Sequence, residues 1–184
     1  MNILIETQRL FLKELEHSDS TDLFEMDADP DVHLFIENKP VNSMDEITTI
    51  IEMLKKQYEK FGIARWAVVH KITHECIGWA GLKYFDYPLN SHNNFYELGY
   101  RFKKKHWGNG FVTESSTAIL DYGFKNLNTE SIFAITNPKN ETSNKVLTKL
   151  GFDFIETFDY EGDPTNWYEL SRTSWERKRL HQKN

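Results

Sequence analysis

With 184 residues, 39% of them hydrophobic, and with 13 Phe, 8 Tyr and 5 Trp, the chain has single-domain length and ample aromatic mass for one core. A formal net charge of −6 sets it apart from general nucleic-acid binders, and its single cysteine, Cys76, leaves no intramolecular disulfide framework. Charged Glu6, Arg9, Lys13 and Glu14 interrupt the opening stretch and no apolar run reaches the ~20 residues of a membrane span, so a cytoplasmic protein without membrane or nucleic-acid partners is expected.

In chain order, residues 3–14 alternate with Ile3, Ile5, Leu10 and Leu12 apolar and read as one strand. Ser18 or Asp19 caps a short helix carrying Leu23, Phe24 and Met26, which Asp29-Pro30-Asp31 interrupts before the brief apolar segment Val32 to Ile36. Ser43-Met44-Asp45-Glu46 is a capping box, and the helix it opens places Ile47, Ile50, Ile51, Leu54, Tyr58 and Phe61 on one face before Gly62 ends it. Trp66 to His70 and Cys76 to Tyr84 form a hairpin around Lys71 to Glu75. A polar loop from Pro88 to Asn94 then leads into the aromatic strand Phe95 to Phe102.

Next comes Lys103-Lys104-Lys105-His106-Trp107-Gly108-Asn109-Gly110, and after it Phe111, Ser115, Ala118, Ile119 and Tyr122 recur at helical spacing. A helix start leaves N–H groups without internal partners and carries partial positive charge, and two glycines let backbone close on an anion. The turn suits a phosphate. It fits neither the dinucleotide fingerprint, since Thr113 stands at the third glycine position, nor a P-loop, since no lysine follows either glycine. Further on, Ile132 to Ile135 is a short buried strand, Asn140 caps a helix with Ser143, Val146, Leu147 and Leu150 inward, and Gly151 terminates it. Phe154 to Tyr160 and Trp167 to Leu170 close the chain around Glu161 to Pro164, and the charged tail 176–184 reads as a frayed helix or as disordered. The whole, 1–184, is taken as one α/β domain.

Lys105-His106-Trp107-Gly108-Asn109-Gly110 resembles the coenzyme A loop of the GNAT N-acetyltransferases, Gln/Arg-x-x-Gly-x-Gly/Ala, with lysine in the first place. Asn137 to Phe152 resembles the family's second signature, Asn-x-x-Ser, a short helix, then Leu-Gly-Phe. Glu6 to Lys13 resembles the opening strand of one branch, the ribosomal-protein alanine N-acetyltransferases (RimJ/RimL type). The resemblance covers about residues 3–176. It implies a GNAT fold: a mixed, mostly antiparallel, seven-stranded sheet with helices on both faces and a splayed parallel strand pair holding acetyl-CoA as co-substrate.

By that resemblance the pantetheine pairs with the strand edge Tyr100-Arg101-Phe102, and the diphosphate meets the backbone of Lys105, His106, Trp107, Gly108, Asn109, Gly110 and Phe111. Asn140 and Ser143 belong to the same cofactor site, and Lys103 to Lys105 add a positive field near the phosphates. The Phe102 N–H is favoured as the group that stabilises the thioester oxygen. Many members carry a tyrosine acid on the second helix, where this chain has Leu147, while the alanine branch has a serine one turn earlier, here Ser143. Ser143 as acid and Glu97 as base are the catalytic expectations, against a capping serine and an exposed strand residue. Glu114 reads as structural, stabilised in the first helical turn by the dipole.

Cys76 reads as a buried structural thiol, and no histidine pair has metal-ligand spacing, so no metal is expected. By the same resemblance, the regions of Asp27, Asp29, Asp31 and Glu37 and of Asp159, Glu161 and Asp163 border an acceptor groove, which would suit a cationic amine, against the alternative of a solvated acidic rim. The expected acceptor is a peptide N-terminus or a small amine such as a polyamine or aminoglycoside. The alternatives are a non-catalytic acyl-CoA-binding module and a protein for a different phosphate ligand. A monomer or homodimer is expected.

Overall fold

The structure is a computed structural model that describes residues 3–36 and 39–181. Among these, eight strands form one sheet: β1 (Ile3–Glu6), β2 (Leu10–Glu14), β3 (Arg65–His70), β4 (Cys76–Phe85), β5 (Phe95–Phe102), β6 (Ser131–Thr136), β7 (Asp153–Tyr160) and β8 (Asp163–Ser171). Their spatial order is β1-β2-β3-β4-β5-β6-β8-β7, with every neighbouring pair antiparallel except β5–β6. Six helices accompany it: α1 (Ser20–Asp27), α2 (Pro30–His33), α3 (Met44–Phe61), α4 (Phe111–Asn126), α5 (Glu141–Leu150) and α6 (Arg172–His181).

This is the expected mixed α/β sheet, with one more strand than the seven anticipated. The stretch 3–14 breaks in two because Thr7 turns the chain. Its N–H donates to the Leu10 carbonyl and its hydroxyl oxygen accepts the Leu10 N–H, both at 3.0 Å, so β1 folds back on β2. The tail is also more ordered than expected. Residues 172–181 form α6, whose Trp175 is buried with its indole N–H on Asp121 at 3.1 Å, while 182–184 lie outside the described residues.

Half of the expected capping box is present: the Ser43 hydroxyl accepts the Glu46 N–H, but the Glu46 carboxylate accepts the Asn42 N–H instead of that of Ser43, and Gly62 ends α3 at φ 70°. The buried stripe of α3 is Ile47, Ile51, Leu54 and Tyr58, as its spacing requires.

Strand alternation sorts the β5 side chains onto two faces. On one, Arg101 reaches Asp27 of α1 at 2.7 Å. On the other, Tyr100 meets α5, and Leu98 pairs across to Leu82, which lies under α4. Gly123 permits that approach, because a Cβ there would sit 2.7 Å from Leu82 Cδ1 and 3.0 Å from Ile132 Cδ1. The parallel pairing of β5 with β6 reaches only Tyr96↔Ile132 and Glu97↔Phe133. Beyond Glu97 the two strands diverge, and that gap positions the site.

Candidate functional site

Which groups line the gap follows from hydrogen-bond parity. In an antiparallel pair, successive residues turn their backbone groups alternately toward and away from the partner. Lys103 donates its N–H to the Ile77 carbonyl at 3.0 Å, and the β4–β5 register runs without a bulge from Phe85↔Phe95 to Gly78↔Phe102. Odd-numbered residues of β5 therefore bond to β4, and the amides of Leu98, Tyr100 and Phe102 face the gap. This corrects one expectation. Arg101, foreseen on the cofactor edge, has its backbone in the ladder to β4, and its guanidinium lies on Asp27 and over Trp79. Phe102 does present its N–H to the gap, while its carbonyl accepts the Trp107 indole N–H at 2.8 Å.

The loop after β5 is held open by several local contacts. Lys104–His106 make one 3-10 turn, then Gly108 and Gly110 adopt φ 75° and 77°, conformations that side chains with a Cβ resist. Among the described residues the N–H groups of Gly108, Asn109 and Gly110 have no backbone or side-chain acceptor, and α4 begins at Phe111 with its own first amides free. A Cβ at Gly108 would meet nothing within 4 Å. These unpaired donors at a helix N-terminus fit an anion such as the coenzyme diphosphate. Arg9 braces the turn from behind, with Nη1 on the Asn109 carbonyl at 3.0 Å, Nε on Glu114 at 2.6 Å, and its guanidinium over the Phe111 ring. Glu114 also accepts from the Thr7 hydroxyl at 2.6 Å and the Arg9 N–H at 2.8 Å, which gives it the structural part expected of it.

The lysine run departs from expectation. Lys103 is buried, with Nζ on Asp22, Glu25 and Glu75 at 2.7, 2.7 and 2.8 Å. Lys105 shares Glu25 and Glu75, Lys104 pairs with Asp31, and His106 Nε2 lies 3.2 Å from Glu75. Burial alone would raise the Glu75 carboxyl, but hydrogen bonds from Lys103 and Lys105 override it and hold it at about 2. The positive charge foreseen for the phosphates is thus spent on α1, α2 and the β3–β4 turn, because those elements carry the nearest carboxylates. The backbone N–H groups of His106 and Trp107, foreseen on the diphosphate, instead close the 3-10 turn by donating to the Lys103 and Lys104 carbonyls at 2.9 and 3.0 Å, and the side chains of Lys105, His106 and Trp107 anchor the loop.

The first acidic group is committed in the same way. Asp27 is buried against Arg101 and His33, the Asp29 side chain accepts the Asp31 N–H, and Asp31 pairs with Lys104. Glu37 lies outside the described residues. On the other side, Asp159 accepts the Gly162 N–H at 3.1 Å, and Asp159, Glu161 and Asp163 are exposed around the β7–β8 turn.

Glu97 is buried rather than exposed, and its carboxylate is bonded to Arg65 Nη2. Arg65 Nη1 donates to the Gly81 and Glu97 carbonyls at 2.6 and 2.7 Å. Gly99 makes room for this guanidinium, since a Cβ there would sit 2.5 Å from Arg65 Nη2. The side chains of the pair are 13% and 6% exposed, so removing one partner strands a buried charge. Arg65→Met is expected to cost about 3–5 kcal/mol in urea unfolding, with most of it recovered in the Arg65→Met, Glu97→Met double variant. A loss below about 1 kcal/mol in the single variant would show that water reaches the carboxylate.

Ser143 lies across the gap. The cap of α5 is Asn140, whose Oδ1 accepts the Ser143 N–H at 3.1 Å. The Ser143 hydroxyl is not part of that cap and sits 2.9 Å from the Tyr100 hydroxyl. Leu147, where a tyrosine acid was looked for, is buried. Two participants were missed in the sequence. One is the Tyr100 side chain, counted only as strand edge. The other is Asn144, whose amide donates to the Asn137, Pro138 and Asn140 carbonyls and accepts from Asn166 and Tyr168, tying the α5 entry to β8. Glu97 and Ser143 are on opposite faces of β5, one on each side of the gap. Cys76 is buried far from any such arrangement, with its N–H on Asp22 and its thiol pushed up to about 12 by burial.

Parallel strands that part beside an amide-lined loop, with a hydroxyl facing them, form a cleft that suits an extended phosphate-bearing ligand. The acetyltransferase (GNAT) domain family matches residues 9–153, and the chain belongs to that family as an acetyl-CoA-dependent N-acetyltransferase. An uncharacterized N-acetyltransferase of Bacillus subtilis, YoaA, is 31% identical over 174 residues, covering 91% of this chain and 96% of the relative. In fold, the chain resembles the ribosomal-protein-S5-alanine acetyltransferase of Vibrio fischeri, with a TM-score of 0.75 at 19% identity, over 95% and 99% of the two chains. It also resembles the spermidine N-acetyltransferase of Vibrio cholerae, solved with CoA and spermine, with a TM-score of 0.71 at 20% identity, over 91% and 98%. Among the described residues no helix is long and apolar enough to cross a membrane.

Proposed function

We propose that this chain transfers acetyl directly from acetyl-CoA to a primary α-amine, such as a protein N-terminus, within a ternary complex. The Gly108 to Phe111 amides hold the diphosphate, and the strand edge of Tyr100 and Phe102 pairs with the pantetheine. The Phe102 N–H bonds the thioester oxygen as charge grows on it. The amine attacks from the Glu97 face, and the C–S bond breaks as the C–N bond forms. Ser143, across the gap, gives the departing sulfur a hydrogen-bond donor.

The observation that carries the acceptor class is the Glu97–Arg65 ion pair. The Glu97 carboxylate is turned onto the Arg65 guanidinium instead of standing free to meet an incoming amine, so its expected base role is set aside, and water accepts the amine proton. That favours an amine partly neutral near pH 8, the α-amine range, over a side-chain amine near ~10.4. The S5-alanine acetyltransferase neighbour is in keeping with this. The exposed Asp159, Glu161 and Asp163 turn supports a second reading, a small cationic amine, in keeping with the spermidine enzyme.

A thiol-release screen with acetyl-CoA over peptides with free and blocked N-termini, spermidine and an aminoglycoside separates the two. Faster turnover of free α-amines supports the first reading, and turnover confined to polyamines or aminoglycosides supports the second. Coenzyme binding without transfer to any of them would reduce the chain to a binding module.

Direct attack also needs no enzyme nucleophile. Burial pushes the Cys76 thiol up to about 12, so at pH 8 it rests as the thiol and not as the nucleophilic thiolate. Iodoacetamide is expected to leave native Cys76 unmodified at that pH, and Cys76→Ser to keep most of its turnover. An acetyl-enzyme on Cys76 in intact mass spectra would reverse this.

A further inference from the structure

Where this chain lacks the helix tyrosine at Leu147, it brings a tyrosine to the same gap from the strand side. Tyr100 stands on β5 with its backbone at the gap, and its hydroxyl lies 2.9 Å from Ser143 Oγ and 3.4 Å from the Ser143 carbonyl. Two hydroxyls in contact share one hydrogen between their oxygens, so the one that donates decides where the other's hydrogen points. Ser143 is also fixed from its own helix, since Asn140 holds its N–H and Asn144 holds the loop before it. The serine backbone is therefore fixed, and its side-chain oxygen is held by the Tyr100 hydroxyl.

We propose that Tyr100 is the positioning residue of the transfer step: its hydroxyl donates to Ser143 Oγ and so turns the Ser143 O–H into the gap, toward the departing coenzyme sulfur. This rests on the acetyltransferase reading given above. Burial pushes the Tyr100 hydroxyl up to about 12, with the Ser143 contact opposing, so it stays protonated and remains a donor throughout the working pH range. Tyr100 keeps its proton. The sulfur gains a hydrogen bond from Ser143 as the C–S bond breaks, and the proton it finally takes is balanced by the one the amine gives to water. The arrangement places a donor where the negative charge of the leaving group develops. It supplies from the strand what a helix tyrosine would otherwise supply, with the serine as the group in contact.

The test is a double-variant cycle of Tyr100→Phe and Ser143→Ala, read as kcat and KM for acetyl-CoA with the best acceptor, beside coenzyme affinity and melting temperature. Tyr100→Phe keeps the ring and removes one oxygen. It is expected to lower kcat about 10–100-fold with coenzyme affinity and melting temperature unchanged. In the Ser143→Ala background the same change is expected to have no further effect on kcat, because the group it orients is gone. Equal losses in both backgrounds overturn the proposal, since Tyr100 would then act independently of Ser143. So does a kcat within about twofold of the unaltered chain, or a fall in melting temperature alone. If the unaltered chain acetylates no amine, the acetyltransferase reading falls and takes this one with it. Transfer that survives Tyr100→Phe removes only this one.

Discussion

In Gly110→Val, coenzyme A binding by calorimetry is expected to be lost, while the fold survives with a lowered melting temperature. Gly110 caps α4 at φ 77°, where a β-branched residue is an outlier costing about 1–3 kcal/mol. Within the protein itself there is room, since a Cβ at this position meets only Arg9 Nη2 at 3.6 Å. The substitution therefore disturbs the loop's conformation and the approach to its amides, not the core. Lys104→Ala is the control. Its side chain is exposed and paired with Asp31, and its removal is expected to leave the dissociation constant within about twofold. An unaltered dissociation constant in Gly110→Val would sink the assignment of this loop to the diphosphate.

Most of the scaffold was legible because local rules and tertiary packing agree on it. Ser43 and Gly62 bound α3 by cap chemistry, the stripe from Ile47 to Tyr58 buries one face, and Gly108 with Gly110 marks a turn with unusual dihedrals. What escaped depends on distances between segments far apart in sequence. Nothing in the spacing of Thr7 and Leu10 distinguishes a turn from a continuous strand, so the extra strand was absorbed into one. Alternation puts Glu97 and Tyr100 on opposite faces of β5. It does not say that Arg65, thirty-two positions earlier, crosses over Gly99 to neutralise the glutamate. The lysine run looked like a field for phosphates because its charges are adjacent in sequence, whereas Asp22, Glu25 and Glu75 reach it only through the fold. The Tyr100–Ser143 contact spans forty-three positions and needs the divergence of β5 from β6.

In Ser143→Ala, kcat is expected to fall about 10²–10³-fold, with coenzyme affinity and melting temperature close to those of the unaltered chain. The cap of α5 does not depend on this hydroxyl, because Asn140 Oδ1 takes the Ser143 N–H, and an alanine still has that N–H. Losing a true cap costs about 1 kcal/mol, so a lowered melting temperature is the mark of a structural serine. The helix-to-strand contact with Tyr100 would be lost as well, but the tyrosine hydroxyl keeps the Ser143 carbonyl as an acceptor at 3.4 Å. The two parts separate in a single variant. Slow turnover on a stable fold assigns the hydroxyl to the leaving sulfur. Near-normal turnover with a destabilised α5 returns Ser143 to packing and leaves solvent as the donor. For Glu97, set aside as a base, Glu97→Gln is expected to leave the rise of rate with pH intact, because the incoming amine is the group that titrates. Loss of that rise on a folded protein would restore the carboxylate as the proton acceptor.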